Sequence, residues 1–341
     1  MRHALSPLEP SNLCQLIAKA IGHEPADFAL SVLELDRIPR AGIGMVSRGE
    51  LAMALNAALF CDLLDRVPQA ARYVARVADG GRRVRFDHGA LRTIDGETGV
   101  LPRGHLAFAR VLEPLGYAVA DLYPLPRLKM TGRAYRHVDL PEAIPQFFVS
   151  ELHVAELDDD ARQAAARVFG ASADPLGECE SRALDRLGRD GACPFDIASC
   201  ALPGLVRAFS RHHPVPLWDD YETLLRHSAE AAWIATEGNA FNHATDRVFD
   251  VAALASHLKA EGVPMKDEVE VSASGRVRQT AMLAAPVERE FRAGDGSTVR
   301  RKVPGSFYEF ISRDVDPATG RLDLSFDSGN ATGIFGVTGA S

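Results

Sequence analysis

Four side chains in this 341-residue sequence combine type and setting in a way that could carry chemistry: His88, Arg92, His243 and Glu309. His88 closes the strand-like run Val84-Arg85-Phe86-Asp87, and Arg92 follows after Gly89-Ala90-Leu91. If a helical turn succeeds the strand, that spacing puts the imidazole and the guanidinium on one face. A metal on His88 would then hold one end of an anionic substrate, and Arg92 would grip a carboxylate through two parallel hydrogen bonds. A surface loop with solvated charges accounts for the same spacing.

His243 lies in Thr236-Glu237-Gly238-Asn239-Ala240-Phe241-Asn242-His243-Ala244-Thr245-Asp246, a stretch dense in polar groups but without a charge run. Asn239, Asn242, Thr245 and Asp246 are candidates to fix the imidazole tautomer; the alternative is a polar turn around an ordinary hydrogen-bonded histidine. Glu309 sits in Phe307-Tyr308-Glu309-Phe310-Ile311. Strand alternation places it on one face with Phe307 and Ile311, opposite Tyr308 and Phe310. A carboxylate on an apolar strand face is costly unless it is paired or binds a metal. The alternative is a salt bridge to an arginine such as Arg313. A rival pair, Glu151 and His153, shares a face of the strand-like Phe147–Val154, where Glu151 could instead pair with Arg133 or Arg136.

Two histidines and one carboxylate form the facial triad of non-haem Fe(II) oxygenases, which leaves coordination positions open. Mn²⁺, Co²⁺ or Zn²⁺ suit the same donors. No GxSxG, GxxxxGK[ST], HExxH or strand-then-helix GxGxxG is present. The small-residue turn Gly329-Asn330-Ala331-Thr332-Gly333 could offer backbone N–H groups to an anion.

The elements that must position these groups are legible in outline. Residues 10–78 read as helical, with Leu51, Leu55, Leu59 and Leu63 at helical spacing. A helix is expected at 104–115, and strands at 117–122, 132–138 and 147–154. Residues 158–230 turn to Ala-, Arg- and Asp-rich amphipathic helices, an insertion or cap. A helix at 249–261 and strands at 276–282 and 306–313 follow. The two strand groups could be two halves of one curved sheet, so the expected class is α+β, a single domain over 1–341.

Composition excludes other classes. Thirty-eight Lys and Arg against 46 Asp and Glu give a net charge of −8, unlike the basic face that nucleic acid requires. No apolar run is long enough to span a membrane. The first ten residues lack an apolar signal core, and five cysteines (Cys14, Cys61, Cys179, Cys193, Cys200) form an odd set without CxxC. The expectation is a cytoplasmic protein with reduced thiols and no thiolate zinc site.

The segments Phe86-Asp87-His88-Gly89-Ala90-Leu91-Arg92, Phe148-Val149-Ser150-Glu151-Leu152, Asn239-Ala240-Phe241-Asn242-His243, Gly305-Ser306-Phe307-Tyr308-Glu309-Phe310 and Ala331-Thr332-Gly333-Ile334-Phe335 together resemble the 2-oxoadipate dioxygenase/decarboxylase (D-2-hydroxyglutarate synthase) family, from about residue 80 to 335. The resemblance implies a curved mixed sheet of vicinal-oxygen-chelate, glyoxalase-like type. It implies Fe(II) held by His88, His243 and Glu309, a substrate carboxylate on Arg92, and a pocket bordered by Asn330, Ala331 and Thr332. Phe148–Leu152 becomes a structural strand, against the Glu151/His153 site. The implied partners are O₂ and a small 2-oxo dicarboxylic acid, with 2-oxoadipate giving 2-hydroxyglutarate and CO₂, a reaction of lysine catabolism. A glyoxalase-like isomerase or lyase, and a non-catalytic anion-binding protein, are the alternatives the same architecture allows.

Overall fold

A mixed, curled sheet of eight strands carries the candidate residues. The computed structural model describes residues 12–35 and 38–326. The strands are β1 (Phe86–Asp95), β2 (Tyr117–Leu125), β3 (Met130–His137), β4 (Gln146–His153), β5 (Phe241–Arg247), β6 (Glu270–Val271), β7 (Val277–Ala281) and β8 (Phe307–Arg313). Their spatial order is β2-β3-β4-β1-β5-β8-β7-β6. Each sequence half contributes one parallel pair, β1 with β4 and β5 with β8; β1 and β5 join the halves antiparallel. The two strand groups of the sequence are thus the two halves of one sheet, as expected.

The helices are α1 (Asn12–Ile21), α2 (His23–Val32), α3 (Arg48–Arg66), α4 (Pro68–Asp79), α5 (Leu106–Leu112), α6 (Asp159–Phe169), α7 (Glu178–Asp190), α8 (Phe195–Arg207), α9 (Trp218–His227), α10 (Ala229–Glu237) and α11 (Val251–Ala260). None among the described residues is long and apolar enough to cross a membrane. Helix α3 is buried along nearly its whole length. Its alanines let neighbours approach from every side, and a reciprocal Ser47–Glu50 capping box satisfies its first N–H groups. Pro68 opens α4, where no N–H is needed.

One sheet face, with Leu91, Phe147, Val149, Tyr308 and Phe310, packs on α3 and its neighbours in the main core. The other face is covered at one end by α6, α9, α10 and the hairpin of Pro286–Arg292 with Thr298–Pro304, around Ile94, Leu152, Trp233 and Phe291. The helical stretch at 158–230 therefore supplies two of the lids over that face. Strand β1 lies between two packed layers, so it reads as an unbroken buried run rather than an alternating one.

Four details depart from the sequence reading. Inside the stretch 10–78, which reads as helical, Met45–Ser47 is a short strand paired with Ala192–Pro194. Residues 88–92 continue the strand and form no helical turn, because both neighbouring strands pair with them; His88 and Arg92 still share a face, through the two-residue period. The hairpin at 286–304 was not among the expected strands. Cys179 on α7 and Cys200 on α8 are joined as a disulfide, against the expectation of reduced thiols, because the packing of these helices brings their Cα atoms to 6.4 Å.

Candidate metal centre

The sheet register builds the site. His88 and Ala90 on β1 stand beside Thr245 and His243 on β5, which in turn stand beside Glu309 and Phe307 on β8. Three adjacent strands therefore project His88, His243 and Glu309 from the face opposite the main core. Their side chains offer three ligand atoms that all lie within 4.8 Å of one another. Glu309 Oε2 is 3.1 Å from His243 Nε2 and 3.4 Å from His88 Nε2. All three residues are buried, Glu309 completely.

The outward nitrogens of both imidazoles are defined by what holds the other nitrogen. His88 Nδ1–H donates to Asp87 Oδ1 at 2.9 Å, and His243 Nδ1–H donates to Asn242 Oδ1 at 2.9 Å. In the neutral form that binds a metal, both Nε2 atoms would carry lone pairs toward Glu309. Thr245 Oγ1 donates to Glu309 Oε2 at 2.7 Å and lies 3.1 Å from His88 Nε2. Among the described residues, Glu309 Oε1 and His243 Nε2 are buried without a hydrogen-bond partner. Buried polar atoms are otherwise almost always satisfied. A carboxylate oxygen and a neutral imidazole nitrogen left open beside each other are the donor set a divalent cation completes, and the residues present fit one.

Burial alone would raise the Glu309 carboxyl, but His243 and His88 outweigh it and hold it far below the usual carboxylate range. Burial pushes the His243 imidazole down, with Glu309 opposing. Burial also works against charge on His88, yet Asp87 and Glu309 raise it. Asp87 is itself fully buried; Arg313 and Arg247 overcome its desolvation and keep it well below its ordinary value. Arg247 Nε reaches Asp87 Oδ2 at 2.6 Å and Arg313 Nη2 reaches Oδ1 at 3.0 Å. Arg313 thus pairs with Asp87, and the expected alternative of a Glu309–Arg313 bridge does not occur.

Arg92 lies on the same face of β1, two residues beyond Ala90. It is 1% exposed; its Nε is 2.8 Å from Glu230 Oε2 on α10, and its guanidinium lies 5.0 Å over the Trp233 ring. An apolar wall of Ala90, Tyr123, Ala134 and Phe148 fills the space toward β2. Phe326 closes it, with its ring 4.8 Å from that of His88 and 4.9 Å from that of Phe148. The strap that carries Phe326 is anchored by Arg313 Nη1, which donates to Ser325 O at 2.7 Å, and by Arg136 Nη2, which donates to Leu324 O at 3.0 Å.

The rival pair falls elsewhere. Glu151 and His153 point from the other face of β4 and, with Asp95, form a second group whose ligand atoms lie within 4.8 Å of one another. Its donors are already engaged. Glu151 accepts from Arg133 Nη1 at 2.9 Å and from the His105 N–H at 2.6 Å, while His153 contacts Thr131 Oγ1 at 2.8 Å and Asp95 Oδ2 at 3.3 Å. Of the four side chains expected around His243, Asn242 and Thr245 are there. Asp246 faces the main core, where it accepts from Tyr73 and the Arg85 N–H. Asn239 lines a small cavity beside His212 and His213. Asn330, Ala331 and Thr332 lie outside the described residues. The sequence reading missed Asp87, Glu230, Trp233 and Phe326. Asp87 was within reach, as an acid preceding a candidate ligand; nothing in the order of residues links Glu230 to Arg92.

The curled sheet with three donors on one face defines a glyoxalase-like α+β protein with a candidate metal centre. The model of the 2-oxoadipate dioxygenase/decarboxylase family matches residues 60–322, and the chain belongs to that family of oxidoreductase enzymes. The chloroplastic 2-oxoadipate dioxygenase/decarboxylase of Arabidopsis thaliana is 24% identical over 332 residues, covering 86% of this chain and 81% of that protein. The Mycobacterium bovis 2-oxoadipate dioxygenase/decarboxylase is 28% identical over 244 residues, 67% of this chain but only 57% of its own length. Among solved structures, a Ralstonia eutropha JMP134 protein placed in the glyoxalase superfamily superposes with a TM-score of 0.90 at 50% identity, covering 95% of this chain and 99% of that one. The Oryza sativa hydroxyglutarate synthase, solved in complex with 2-oxoadipate, shares the fold with a TM-score of 0.67 at 21% identity, covering 90% and 98%.

Proposed function

We propose that this protein is an Fe(II)-dependent dioxygenase that decarboxylates and hydroxylates a small 2-oxo dicarboxylic acid. The reaction balances as 2-oxoadipate plus O₂ giving 2-hydroxyglutarate plus CO₂. The observation that carries the reading is the buried convergence of His88, His243 and Glu309 around open donor atoms, with Arg92 on the same sheet face. Membership of the family and the names of the relatives support the substrate.

In this reading His88 Nε2, His243 Nε2 and one Glu309 oxygen are the protein's ligands. Bound Fe(II) supplies Lewis acidity to the 2-oxo acid and electrons to O₂. The chain's own groups do the rest. Asp87 and Asn242 hold the two imidazoles in the tautomer that presents Nε2. Glu309 contributes a negative charge that partly offsets the cation. Arg92 orients the substrate by one of its carboxylates, and Ala90, Phe148 and Phe326 keep bulk water from the reacting carbon.

The test is O₂ uptake and CO₂ release by iron-loaded protein on a panel of 2-oxo acids, with Arg92→Ala alongside. Turnover of 2-oxoadipate at one CO₂ per O₂, greatly weakened in the variant, is expected. Turnover of a substrate in the absence of O₂ would instead identify an isomerase or lyase.

A further inference from the structure

Arg92 must turn to a substrate carboxylate in this reading, yet a carboxylate of the protein already lies 2.8 Å from it. We propose that Glu230 is a positioning residue that holds Arg92 ready and yields it to the substrate by taking up a proton, so that binding of the 2-oxo acid is linked to protonation of Glu230. The inference rests on Arg92 as the carboxylate receptor.

The geometry sets the guanidinium before any ligand arrives. Trp233 lies against Arg92, and its own ring is pinned by Nε1–H donating to Gly305 O at 3.1 Å. Glu230 stands one helical turn earlier on α10 and meets Arg92 at Nε. Arginine is thus held between an aromatic face and an acid, the arrangement in which its planar fork loses least freedom on meeting a second partner.

Charge governs how Glu230 responds to a ligand. The elements packed on α10 are β1, α6 and α9. Strand β1 presents Arg92. Arg167 of α6 is paired with Asp220 of α9 at 2.6 Å, and Glu237 at the far end of α10 is paired with Arg289 at 2.7 Å. Arg247 and Arg313, farther along the sheet face, both pair with Asp87, which offsets one of their two charges, and neither acts on Glu230. The charge acting on Glu230 is therefore Arg92. A substrate carboxylate arriving at the same guanidinium would put two like charges around one cation in a site closed to water. Such pairs keep one proton between them. Glu230 is 2% exposed, and burial already lifts its carboxyl to about 7 although Arg92 pulls the other way. A first-turn glutamate would ordinarily favour the anion through the helix dipole; burial outweighs that here. The proton comes from solvent, no bond to the substrate forms, and the product's departure returns it.

The experiment is calorimetry of 2-oxoadipate binding to anaerobic Fe(II)-loaded protein near pH 8, in two buffers of different ionisation enthalpy. Wild type is expected to take up close to one proton per ligand bound, and Glu230→Gln none. In steady state, the wild-type KM should rise by up to about tenfold per pH unit above neutrality, flat in Glu230→Gln, with kcat moving little. Zero uptake by wild type overturns the inference whatever the variant does, as does equal uptake by both. Failure of the metal-loaded wild type to bind 2-oxoadipate at all overturns the functional reading and this inference with it; binding without the proton overturns the inference alone.

Discussion

Asp87 Oδ1 lies 2.9 Å from His88 Nδ1, and the same carboxylate receives the guanidinium groups of Arg247 and Arg313. One buried acid thus orients a candidate metal ligand and pairs with two arginines of the sheet face. Asp87→Asn should lower divalent-metal affinity by about 10–100-fold, the usual effect of losing a partner that orients a ligating histidine. Competition with a chromophoric chelator measures it; unchanged affinity would remove Asp87 from the site. Asp87→Ala should also cost about 3–5 kcal/mol of stability in urea denaturation, because it strands buried cations.

Glu309 and His243 test the centre itself. Metal content of protein purified without chelator should fall from about one ion per chain to near none in Glu309→Gln and in His243→Ala, since losing either donor leaves an incomplete set. Metal-free wild type should gain about 2.7 kcal/mol of stability when the ion is added at a hundred times its Kd, read as a shift of the calorimetric melting transition. A His243→Ala protein with full metal content would favour a non-catalytic reading of these residues.

Much of this arrangement was legible because strands encode it locally. Glu309 between Phe307 and Ile311 marks a carboxylate on an apolar face, and the alternation of β8 does place it there, opposite Tyr308 and Phe310. His88 and Arg92 were linked by a helical spacing that the structure replaces with a strand, and the shared face survived only because four residues is also two strand periods. Glu230 and Trp233 were invisible for a different reason. Their partner Arg92 lies more than a hundred positions earlier in the sequence, and the packing of α10 on β1 arises from tertiary structure alone. Charged residues occupy seven of the fourteen strand positions of the 286–304 hairpin, which masks its alternation.

Gly89 and Gly132 show how tightly the sheet is packed where it holds the site. A Cβ at Gly89 would lie 2.2 Å from Phe241 Cζ, and one at Gly132 would lie 2.6 Å from Phe148 Cζ. Both rings are buried among other aromatics and have little room to retreat. Gly89→Ala and Gly132→Ala should each destabilise by about 1–3 kcal/mol through overpacking, measured as a drop in urea midpoint at constant slope. Gly132→Ala should in addition weaken 2-oxoadipate binding, because Phe148 would be driven along the substrate face, whereas Gly89→Ala acts on the opposite side of the sheet. Equal effects of the two on binding would count against Phe148 as part of the substrate wall.

Asp246 provides a pH signature independent of the metal. It is buried against the main core, where its Oδ2 accepts from Tyr73 Oη–H at 2.8 Å and its Oδ1 from the Arg85 N–H at 3.1 Å. Burial raises its carboxyl to about 7, and these two hydrogen bonds only partly oppose the rise. The folded state therefore keeps a proton that the unfolded chain releases near its ordinary carboxylate value. Stability from this group is fully present below about pH 4, declines by at most about 1.4 kcal/mol per pH unit, and is lost once pH passes about 7. Asp246→Asn keeps a neutral side chain of the same shape, so its stability should not fall over that interval. The check is urea denaturation of wild type and variant at a series of pH values from about 4 to 8. If the difference between them stays constant across the series, Asp246 is ionised in the folded protein, and its charge must be balanced by groups other than Tyr73 and the Arg85 backbone.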